Sequence, residues 1–379
     1  MDLHVYPPLR CFHTVWDFLS LLSVSPSKFE AAFNQWVKWK KVLYTYMART
    51  GLYHLLIYLK SNYGIKRILI PSYICKEAVH AIKKTGLQLV FVDNNLETLG
   101  IDSKHIVADK NDAILWVNYF DLKSEPSEEL LKNGAIIIED NASYFMQPSR
   151  YADFTLYSFG KGKEFSTSGG GAVVVNNKKY DNFVRSVNLT RPDLFTEMCL
   201  FFEYATWKVI SNRCFYKILR KIKISLFGEN RNTGAVFQSD INGLNYAMPT
   251  ISKKFAYKQF TKMEKLKSKS KILWELFVEK IKDLKKIKIL VSKGNSNFFS
   301  VNLLVKNRDR IKSLLENKGI FASLPWPYHL GVQSNNKNLQ NSKRIFSDIL
   351  QIKIDPTYMK TDDIEYIAEN FRKIYKMVV

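Results

Sequence analysis

The chain has 379 residues, and 46% of them are hydrophobic. This length allows a substantial core and two domains, and this composition excludes a disordered chain and one that lies mostly within a membrane. Lys and Arg number 57 against 35 Asp and Glu, so the formal net charge is +22, which favours anionic ligands or surfaces.

Several kinds of signal are missing from the sequence. No nucleic-acid-binding motif accompanies the positive charge, so we expect no nucleic-acid partner. No apolar stretch is long enough to span a bilayer, and the start of the chain lacks the basic and apolar regions of a signal peptide. The four cysteines form neither a zinc pattern nor a disulfide framework, so we expect no metal and a reducing, cytoplasmic setting.

The first half of the chain alternates between two kinds of segment. Residues 1–40 are rich in aromatic side chains, and residues 36–41 are expected to begin the first helix. The predicted strands cover residues 67–70, 87–92, 113–117, 135–139, 154–158 and 172–175, with helices between the earlier ones. Such alternation is typical of a mostly parallel sheet with helices on its faces.

Two later segments are strongly basic. Residues 190–230 interleave aromatic and aliphatic residues with Lys and Arg, as in an amphipathic helix. Such a helix either lies on an anionic membrane or packs its apolar side on the core or a second subunit. Residues 251–282 are expected to form one long helix that leads to a second domain, in which strands and helices alternate again.

Residues 134–175 carry the strongest chemical signal. One apolar run ends in Glu139-Asp140, a second ends at Ser158, Lys163 follows, and the glycines at 169–171 open a third strand. Carboxylates at the carboxyl ends of central strands point into the ligand-binding crevice of α/β proteins. Glycine lets the backbone approach a ligand closely.

These residue types suit pyridoxal 5'-phosphate (PLP). PLP needs a lysine for its carbonyl carbon, an anion beside its ring nitrogen, and hydroxyl and backbone N–H groups for its phosphate. Lys163, Asp140 and Ser158 supply these types, and Lys161 is a competing candidate for the lysine.

The same stretch resembles the sugar aminotransferases of the DegT/DnrJ/EryC1/StrS family. Those proteins have a strand ending in Glu-Asp, a Ser-Phe pair, a lysine five residues after the serine, and a glycine-rich segment that opens a strand. Here the counterparts are Glu139-Asp140, Ser158-Phe159, Lys163 and Gly170-Gly171. This spacing favours Lys163 over Lys161. The resemblance extends over about residues 40–379.

The resemblance implies further contacts with the cofactor phosphate. Thr50 lies at the family's distance from Pro71-Ser72, and the family binds the phosphate with the backbone around this threonine, which here includes Gly51. Asn245 corresponds to the asparagine of a Gly-x-Asn-x-x-Met segment, which in the family reaches the phosphate of the neighbouring subunit.

Several positions differ from the family. Arg49 replaces a glycine, and it either contacts the phosphate or changes the loop. Ser143 replaces a Gln or His near the ring hydroxyl of the cofactor. Cys75 stands where an aromatic residue is usual, so either Tyr73 or Tyr119 is the candidate for stacking on the ring.

A proline-bearing loop near the substrate has its counterpart in the segment Pro325-Trp-Pro-Tyr-His. His329 in this segment either contacts the substrate or is an ordinary loop histidine.

The resemblance also implies an architecture. We expect an α/β protein with the aspartate aminotransferase-like PLP fold and a mostly parallel seven-stranded sheet. After an N-terminal extension at 1–40, the large PLP-binding domain covers 41–255, with a basic amphipathic insertion at about 195–230. A linking helix and a smaller α+β domain cover 256–379. The family forms homodimers with shared active sites.

The implied reaction is an amino transfer. Lys163 would hold PLP and move protons, and Asp140 would keep the ring nitrogen protonated. The amino group would pass from glutamate or glutamine to a keto-sugar, typically nucleotide-linked, for surface polysaccharide or glycan biosynthesis.

Other functions remain open at this stage. In a dehydratase branch of the family a histidine replaces the lysine, so Lys163 argues against that branch. A non-catalytic or membrane-associated member in glycan assembly, or a PLP enzyme that acts on a non-sugar substrate, is an alternative. The expected location is the cytoplasm, with peripheral contact at the inner face of the membrane as an option.

Overall fold

The computed structural model describes residues 5–7, 11–227, 243–291, 296–331 and 338–379. Its strands are β1 (Lys41–Thr45), β2 (Arg67–Pro71), β3 (Gln88–Val92), β4 (Asp112–Val117), β5 (Ile136–Asp140), β6 (Phe154–Ser158), β7 (Gly171–Val175), β8 (Lys288–Leu290), β9 (Ser300–Leu304) and β10 (Ile349–Lys353). Its α-helices are α1 (Val15–Leu19), α2 (Pro26–Trp36), α3 (Ala48–Tyr63), α4 (Lys76–Lys84), α5 (Glu128–Lys132), α6 (Phe183–Ser186), α7 (Leu194–Ile210), α8 (Arg213–Phe227), α9 (Thr250–Phe260), α10 (Met263–Ile281), α11 (Arg308–Asn317), α12 (Gln340–Asp348) and α13 (Thr361–Val378).

The larger sheet has seven strands in the order β1-β7-β6-β5-β4-β2-β3. Strands β2 to β6 pair in parallel, while β7 is antiparallel to both of its neighbours. All six residues of β4 are buried, as expected of a central strand covered by helices on both faces. The mostly parallel seven-stranded sheet expected from the sequence is therefore confirmed.

Strand β1 begins where the sequence predicted the start of a helix. Helix α2 ends at Trp36, and Lys38 and Trp39 both adopt left-handed backbone angles, with φ of 59° and 58°. Two consecutive residues in this region stop a right-handed helix. The prediction that residues 36–41 begin the first helix is therefore wrong, because the chain turns here and enters the edge of the sheet.

The smaller sheet is antiparallel, with the order β10-β9-β8, and it packs against α10, α11 and α13. The long helix predicted at 251–282 is two helices, because α9 ends at Phe260 and α10 begins at Met263. Helix α9 packs on α2 beside the large sheet, whereas α10 packs on α13. Because α2 and α13 are different packing partners, the chain changes direction between α9 and α10, and a continuous helix could not make this change.

The basic segment at 190–230 also forms two helices, α7 and α8, up to residue 227, while residues 228–230 lie outside the described part. Helix α7 buries Leu200 and Tyr204, and Tyr204 packs with residues of the N-terminal segment and of α9. Within the ranges given above, no helix combines the length and the apolar character that a membrane span requires.

Contacts of the N-terminal segment and of acidic side chains join the two sheets. Tyr6 pairs with Ile320, and its hydroxyl donates to Asp363 at 2.9 Å. Asp93, which follows β3, accepts hydrogen bonds from the backbone N–H groups of Asn341 and Ser342 at 2.9 and 2.8 Å. A carboxylate from the large domain thus caps the first turn of α12.

Candidate active site

The polar residues predicted to be functional gather at the carboxyl edge of the large sheet. Asp140 is the last residue of β5, and Ser158 is the last residue of the adjacent strand β6. Tyr119 follows the end of β4 and is fully buried. Since neighbouring parallel strands end at the same edge, these side chains share one crevice.

Asp140 is a partly buried carboxylate. Burial raises its pKa above the ordinary value, against the opposing effects of a 2.8 Å hydrogen bond from the Ala142 N–H and of the nearby positive charge of Lys163. Burial, together with the negative charge of Asp140, also raises the pKa of Tyr119. A cation placed beside Asp140 would favour the ionised carboxylate.

Asp140 and Lys163 therefore lie close enough to interact electrostatically. Lys163 is partly buried in the turn that follows β6, where its N–H donates to the carbonyl of Gly160 at 3.2 Å. Among the described residues, no carboxylate lies within ion-pair distance of the Lys163 ammonium group. Its amine is thus left for another partner.

Lys161, the competing candidate, is engaged elsewhere. Its ammonium group forms an ion pair with Glu203 of α7. The two lysines are only two residues apart in sequence, but their surroundings differ. Lys161 is paired with a residue of α7, whereas Lys163 lies close enough to Asp140 to feel its charge.

Helix α7 and its neighbours hold the lysine loop, residues 160–167, in place. Beside the ion pair of Lys161, the hydroxyl of Tyr204 donates to the carbonyl of Ser166 at 2.8 Å. The Ser166 N–H donates to the side chain of Gln259 at 2.9 Å, and Gln259 donates to the carbonyl of Glu164 at 2.7 Å. Sequence reasoning missed these supporting residues, because no local pattern marks partners so distant along the chain.

The glycine run and the N-terminus of α3 meet beside the ends of β6 and β7. The Gly170 N–H donates to the carbonyl of Tyr46 at 2.7 Å, and Gly170 has a φ of 111°. A side-chain Cβ on Gly171 would overlap the backbone nitrogen of Ala48 and come within 2.6 Å of the Met47 carbonyl carbon. Only glycine at position 171 therefore lets the start of β7 lie against the first turn of α3, which is a 16-residue helix. The N-terminal turn of such a helix can bind phosphate.

Thr50 and Gly51 lie in this first turn of α3. Thr50 is buried, and its hydroxyl donates to the carbonyl of Gly243 at 3.3 Å. A Cβ on Gly51 would come within 2.5 Å of a methyl group of Val173, so glycine lets α3 pack directly on β7.

Asn245 is exposed, although its segment is anchored. Its carbonyl accepts from the Thr190 N–H at 2.8 Å, and His54 of α3 contacts the Leu244 carbonyl at 2.7 Å. Asn245 therefore lies on the surface, close to α3.

Arg49 and Ser143, two of the divergent positions, lie at the same edge. The Arg49 guanidinium donates to Glu77, in the first turn of α4, at 3.0 Å. Ser143 is partly buried in the turn that follows Asp140.

Tyr73, Tyr119 and Cys75, the three residues predicted to lie beside the cofactor ring, are close together but differ in their contacts. Tyr119 donates to the Tyr73 carbonyl at 2.5 Å, and the rings of both tyrosines pack on Trp326 at 5.2 and 5.1 Å. Tyr73 is fully buried, and its hydroxyl bonds to the backbone of Trp326. Cys75 precedes α4 and is partly buried. Trp326 belongs to the proline-bearing segment, yet the sequence did not show that it would contact these rings.

His329 lies in the same loop as Trp326. Its ring packs edge-on against Phe346 at 5.9 Å, and burial lowers its pKa. The adjacent Gly331 approaches Ser72 so closely that a Cβ there would lie 2.6 Å from the serine Cβ. The loop of His329 is therefore packed on the end of β2.

The residues present fit PLP. A partly buried carboxylate with a raised pKa stands at the end of β5. An amine without a carboxylate partner among the described residues lies within its field, and a helix N-terminus meets a glycine run beside them. This donor set matches a cationic ring nitrogen, a reactive carbonyl carbon and a phosphate group.

Comparison with known protein families agrees with this geometry. The model of the DegT/DnrJ/EryC1/StrS aminotransferase family matches residues 24–372. The chain belongs to this family. The match begins at residue 24, so part of the segment set apart as an extension at 1–40 lies within it. The family expected from the sequence is confirmed, and with it PLP as the cofactor at the level of the family.

Individual relatives are more distant. The GDP-perosamine synthase of Escherichia coli O157:H7 is 29% identical over 123 residues, a match that covers 29% of this chain and 34%, about a third, of that protein. An E. coli GDP-4-keto-6-deoxy-D-mannose-3-dehydratase solved with hydrated PLP has a TM-score of 0.72 and 16% identity, and the match covers 97% of this chain and 99% of that one.

A Helicobacter pylori aminotransferase involved in pseudoaminic acid biosynthesis also has a TM-score of 0.72, with 17% identity over 97% of this chain and 98% of that one. At such identities these structures show the fold, and they confirm the expected PLP-enzyme architecture.

Proposed function

We propose that the protein is a PLP-dependent aminotransferase that moves an amino group from an amino acid, by family analogy glutamate or glutamine, to a keto-sugar. The observation that carries the proposal is the pair formed by Lys163 and Asp140 at the carboxyl edge of the sheet, with Lys161 held away by Glu203. The relatives described as acting on GDP-linked sugars favour a nucleotide-linked substrate and a role in glycan biosynthesis.

The proposed roles follow from the environment of each side chain. Lys163 would bind the cofactor through its Nζ atom and then, once released, carry a proton at Nζ to and from the reacting carbon of the substrate. When bound, PLP supplies a ring that accepts the electron pair left by that proton. Asp140, whose pKa is raised by burial, would gain a cationic neighbour in the ring nitrogen and remain ionised.

The phosphate would lie at the first turn of α3, near Thr50 and Gly51, with Ser158 across the crevice. Oriented N–H groups of a helix N-terminus bind a phosphate without any basic side chain. In a homodimer, Asn245 on the surface of one subunit would reach the phosphate at the neighbouring site. Tyr119, which lies beside Asp140, is the better placed of the two tyrosines to contact the ring, and His329 would face the sugar.

The ion pair of Arg49 and Glu77 suggests how this site differs from its relatives. An arginine whose charge is already paired with a carboxylate would add little attraction for phosphate. We therefore propose that Arg49 shapes the loop, and that Ser143 leaves more room beside the ring than the usual Gln or His.

We also propose a cytoplasmic location, a homodimer with shared active sites, and a peripheral contact with an anionic membrane. The exposure of Asn245 supports the homodimer, and the exposed apolar side chains of α7 and α8 support a contact with a second subunit or with a membrane.

The decisive experiment uses the visible absorbance of the purified protein with added PLP. We expect a band from lysine-bound cofactor that Lys163→Ala abolishes and that the matched variant Lys161→Ala retains. Amino transfer from glutamate to a GDP- or UDP-linked 4-keto-sugar should follow the same pattern. Absence of the band in the wild type would refute the enzyme, and a band that survives Lys163→Ala would refute the choice of lysine.

A further inference from the structure

A short segment at 296–299, without regular secondary structure, leads into β9 of the smaller sheet. Asn297 in this segment is fully buried. Its backbone N–H donates to Asp121 at 2.8 Å. Its side-chain amide donates to Glu164 at 2.5 Å and to the Phe145 carbonyl at 3.2 Å. One residue thus contacts three separate connections of the large sheet.

These three connections carry the candidate active site. The connection after β4 includes Tyr119, the one after β5 follows Asp140 directly, and the one after β6 includes Lys163. Asn297 belongs to the chain segment that enters the smaller sheet. Its hydrogen bonds therefore join the carboxyl ends of β4, β5 and β6 to one another and to that sheet.

The bond to Glu164 acts next to the proposed cofactor lysine. Glu164 is buried, and the carboxylate oxygen that accepts from Asn297 also accepts from the Phe145 N–H at 3.0 Å. Carboxylates accept stronger hydrogen bonds than neutral oxygens do. Because Glu164 directly follows Lys163 in the chain, donors that fix Glu164 also fix the backbone from which the lysine side chain extends.

The orientation of the Asn297 amide is determined by these partners. The reverse orientation would turn its oxygen towards the Phe145 carbonyl and the Glu164 carboxylate, which are both acceptors. In the observed orientation the Oδ1 atom is buried, and no described residue forms a hydrogen bond with it. A buried acceptor without a partner lowers stability. The connections that Asn297 joins therefore explain this residue better than its own contribution to folding does.

We propose that Asn297 is a positioning residue, which acts through Glu164 to fix the place of the Lys163 Nζ atom relative to the smaller sheet. The inference rests on the proposed function, since it takes Lys163 as the residue that binds PLP. Asp121 adds a second bond to the same segment, because it also accepts from the Phe299 N–H at 3.0 Å. An amine held in place reacts as if it were highly concentrated, and a displacement of about 1 Å can lower this effective concentration about 100-fold.

The test measures the effective concentration of the Lys163 amine in the full-length protein loaded with PLP. Added methylamine forms its own C=N bond with the cofactor carbon, and the Nζ atom of Lys163 leaves as a free amine. Borohydride then reduces the C=N bonds, and mass spectrometry gives the fraction of PLP joined to Lys163 at each methylamine concentration. Equilibrium dialysis measures total PLP binding, and circular dichroism reports on the fold.

Four single variants and one double variant are compared with the wild type. Asn297→Ala removes the donor, Glu164→Ala removes its acceptor, and the double variant removes both. Glu164→Gln keeps an oxygen for the two donors. The matched control is Gln351→Ala, which removes another buried amide, one that donates to Ser300 and Asn302 within the smaller sheet.

We expect the methylamine concentration that displaces half of Lys163 to fall about tenfold in Asn297→Ala and in Glu164→Ala. It should stay near the wild-type value in Gln351→Ala, and Glu164→Gln should recover most of the loss seen in Glu164→Ala. The double variant should equal the single ones, because both changes remove the same bond. A purely structural role would lower total PLP binding and the folded signal without moving this midpoint.

An unchanged midpoint in Asn297→Ala, an equal fall in Gln351→Ala, or additive losses in the double variant would overturn the proposal. If Asn297→Ala does not fold, Glu164→Ala and Glu164→Gln decide the question, and equal midpoints in these two variants would overturn the proposal. A wild type without PLP on Lys163 would refute the proposed function itself, and this inference with it.

Discussion

His13 gives the folded protein a defined sensitivity to acid. Its imidazole is 1% exposed, with Nδ1 at 2.9 Å from the Tyr204 hydroxyl and Nε2 at 2.8 Å from the Phe255 carbonyl. Burial lowers its pKa from 6.5 to about 4, although the Phe255 carbonyl and Asp17 oppose this shift. The positive charges of Lys262 and Lys208 also face it and lower its pKa further.

The sign of the effect follows from this depressed pKa. Well above pH 6.5 the imidazole is neutral in both states, so it adds no pH dependence there. Below pH 6.5 the unfolded chain takes up a proton that the folded protein resists until about pH 4, so stability falls as the pH is lowered. Proton linkage with these two pKa values gives a loss of about 2 kcal/mol at pH 5 and about 3 kcal/mol at pH 4.

The assay compares wild type with His13→Gln by urea unfolding at pH 7, 6 and 5, followed by fluorescence and circular dichroism. Asp17, the carboxylate near His13, has a lowered pKa and stays ionised in this window, and the groups that the two proteins share cancel in the comparison. The stability advantage of the wild type over the variant should shrink by about 2 kcal/mol between pH 7 and pH 5. A difference that stays constant within about 0.5 kcal/mol would refute the buried neutral imidazole.

Three further substitutions test other features. Asp93→Ala, which removes the cap of α12, should lower the free energy of unfolding by about 1 to 2 kcal/mol, and an unchanged urea midpoint would contradict the cap. Gly171→Ala should destabilise by about 1 to 3 kcal/mol and weaken PLP binding measured by equilibrium dialysis, whereas Gly160→Ala, whose Cβ has room, should do neither. Lys161→Met should leave Glu203 unpaired and speed hydrogen exchange in the lysine loop while PLP still binds. Unchanged exchange would show that this ion pair does not hold the loop.

The sequence predicted the central sheet well, because its strands carry a signal that does not depend on distant contacts. The predicted strands at 67–70, 113–117 and 154–158 agree with β2, β4 and β6 within a residue at either end. Their apolar residues are buried on both faces, and such runs are read directly from sequence. The edge strand β1 was missed, since its alternate residues are only partly buried.

The residues of the candidate site also differ in whether the sequence alone can indicate them. Asp140, Ser158 and Lys163 could be proposed from the sequence because the chemistry of the cofactor requires their residue types at short, recognisable spacing. The groups that hold the lysine loop could not, since Glu203 and Gln259 act on it from other helices. Nothing local in a sequence specifies which distant carboxylate or amide a loop will meet.

The placement of the N-terminal segment has a consequence for synthesis of the chain. The partners of His13 and Tyr6 lie 242 and 357 residues later in the sequence, at Phe255 and Asp363. At typical elongation rates the ribosome needs about 20 to 70 seconds to add 357 residues, so this aromatic segment must wait for its partners. Contacts of such long sequence separation also slow folding. This aromatic segment is therefore made long before its partners, and it is among the last parts of the fold to be buried.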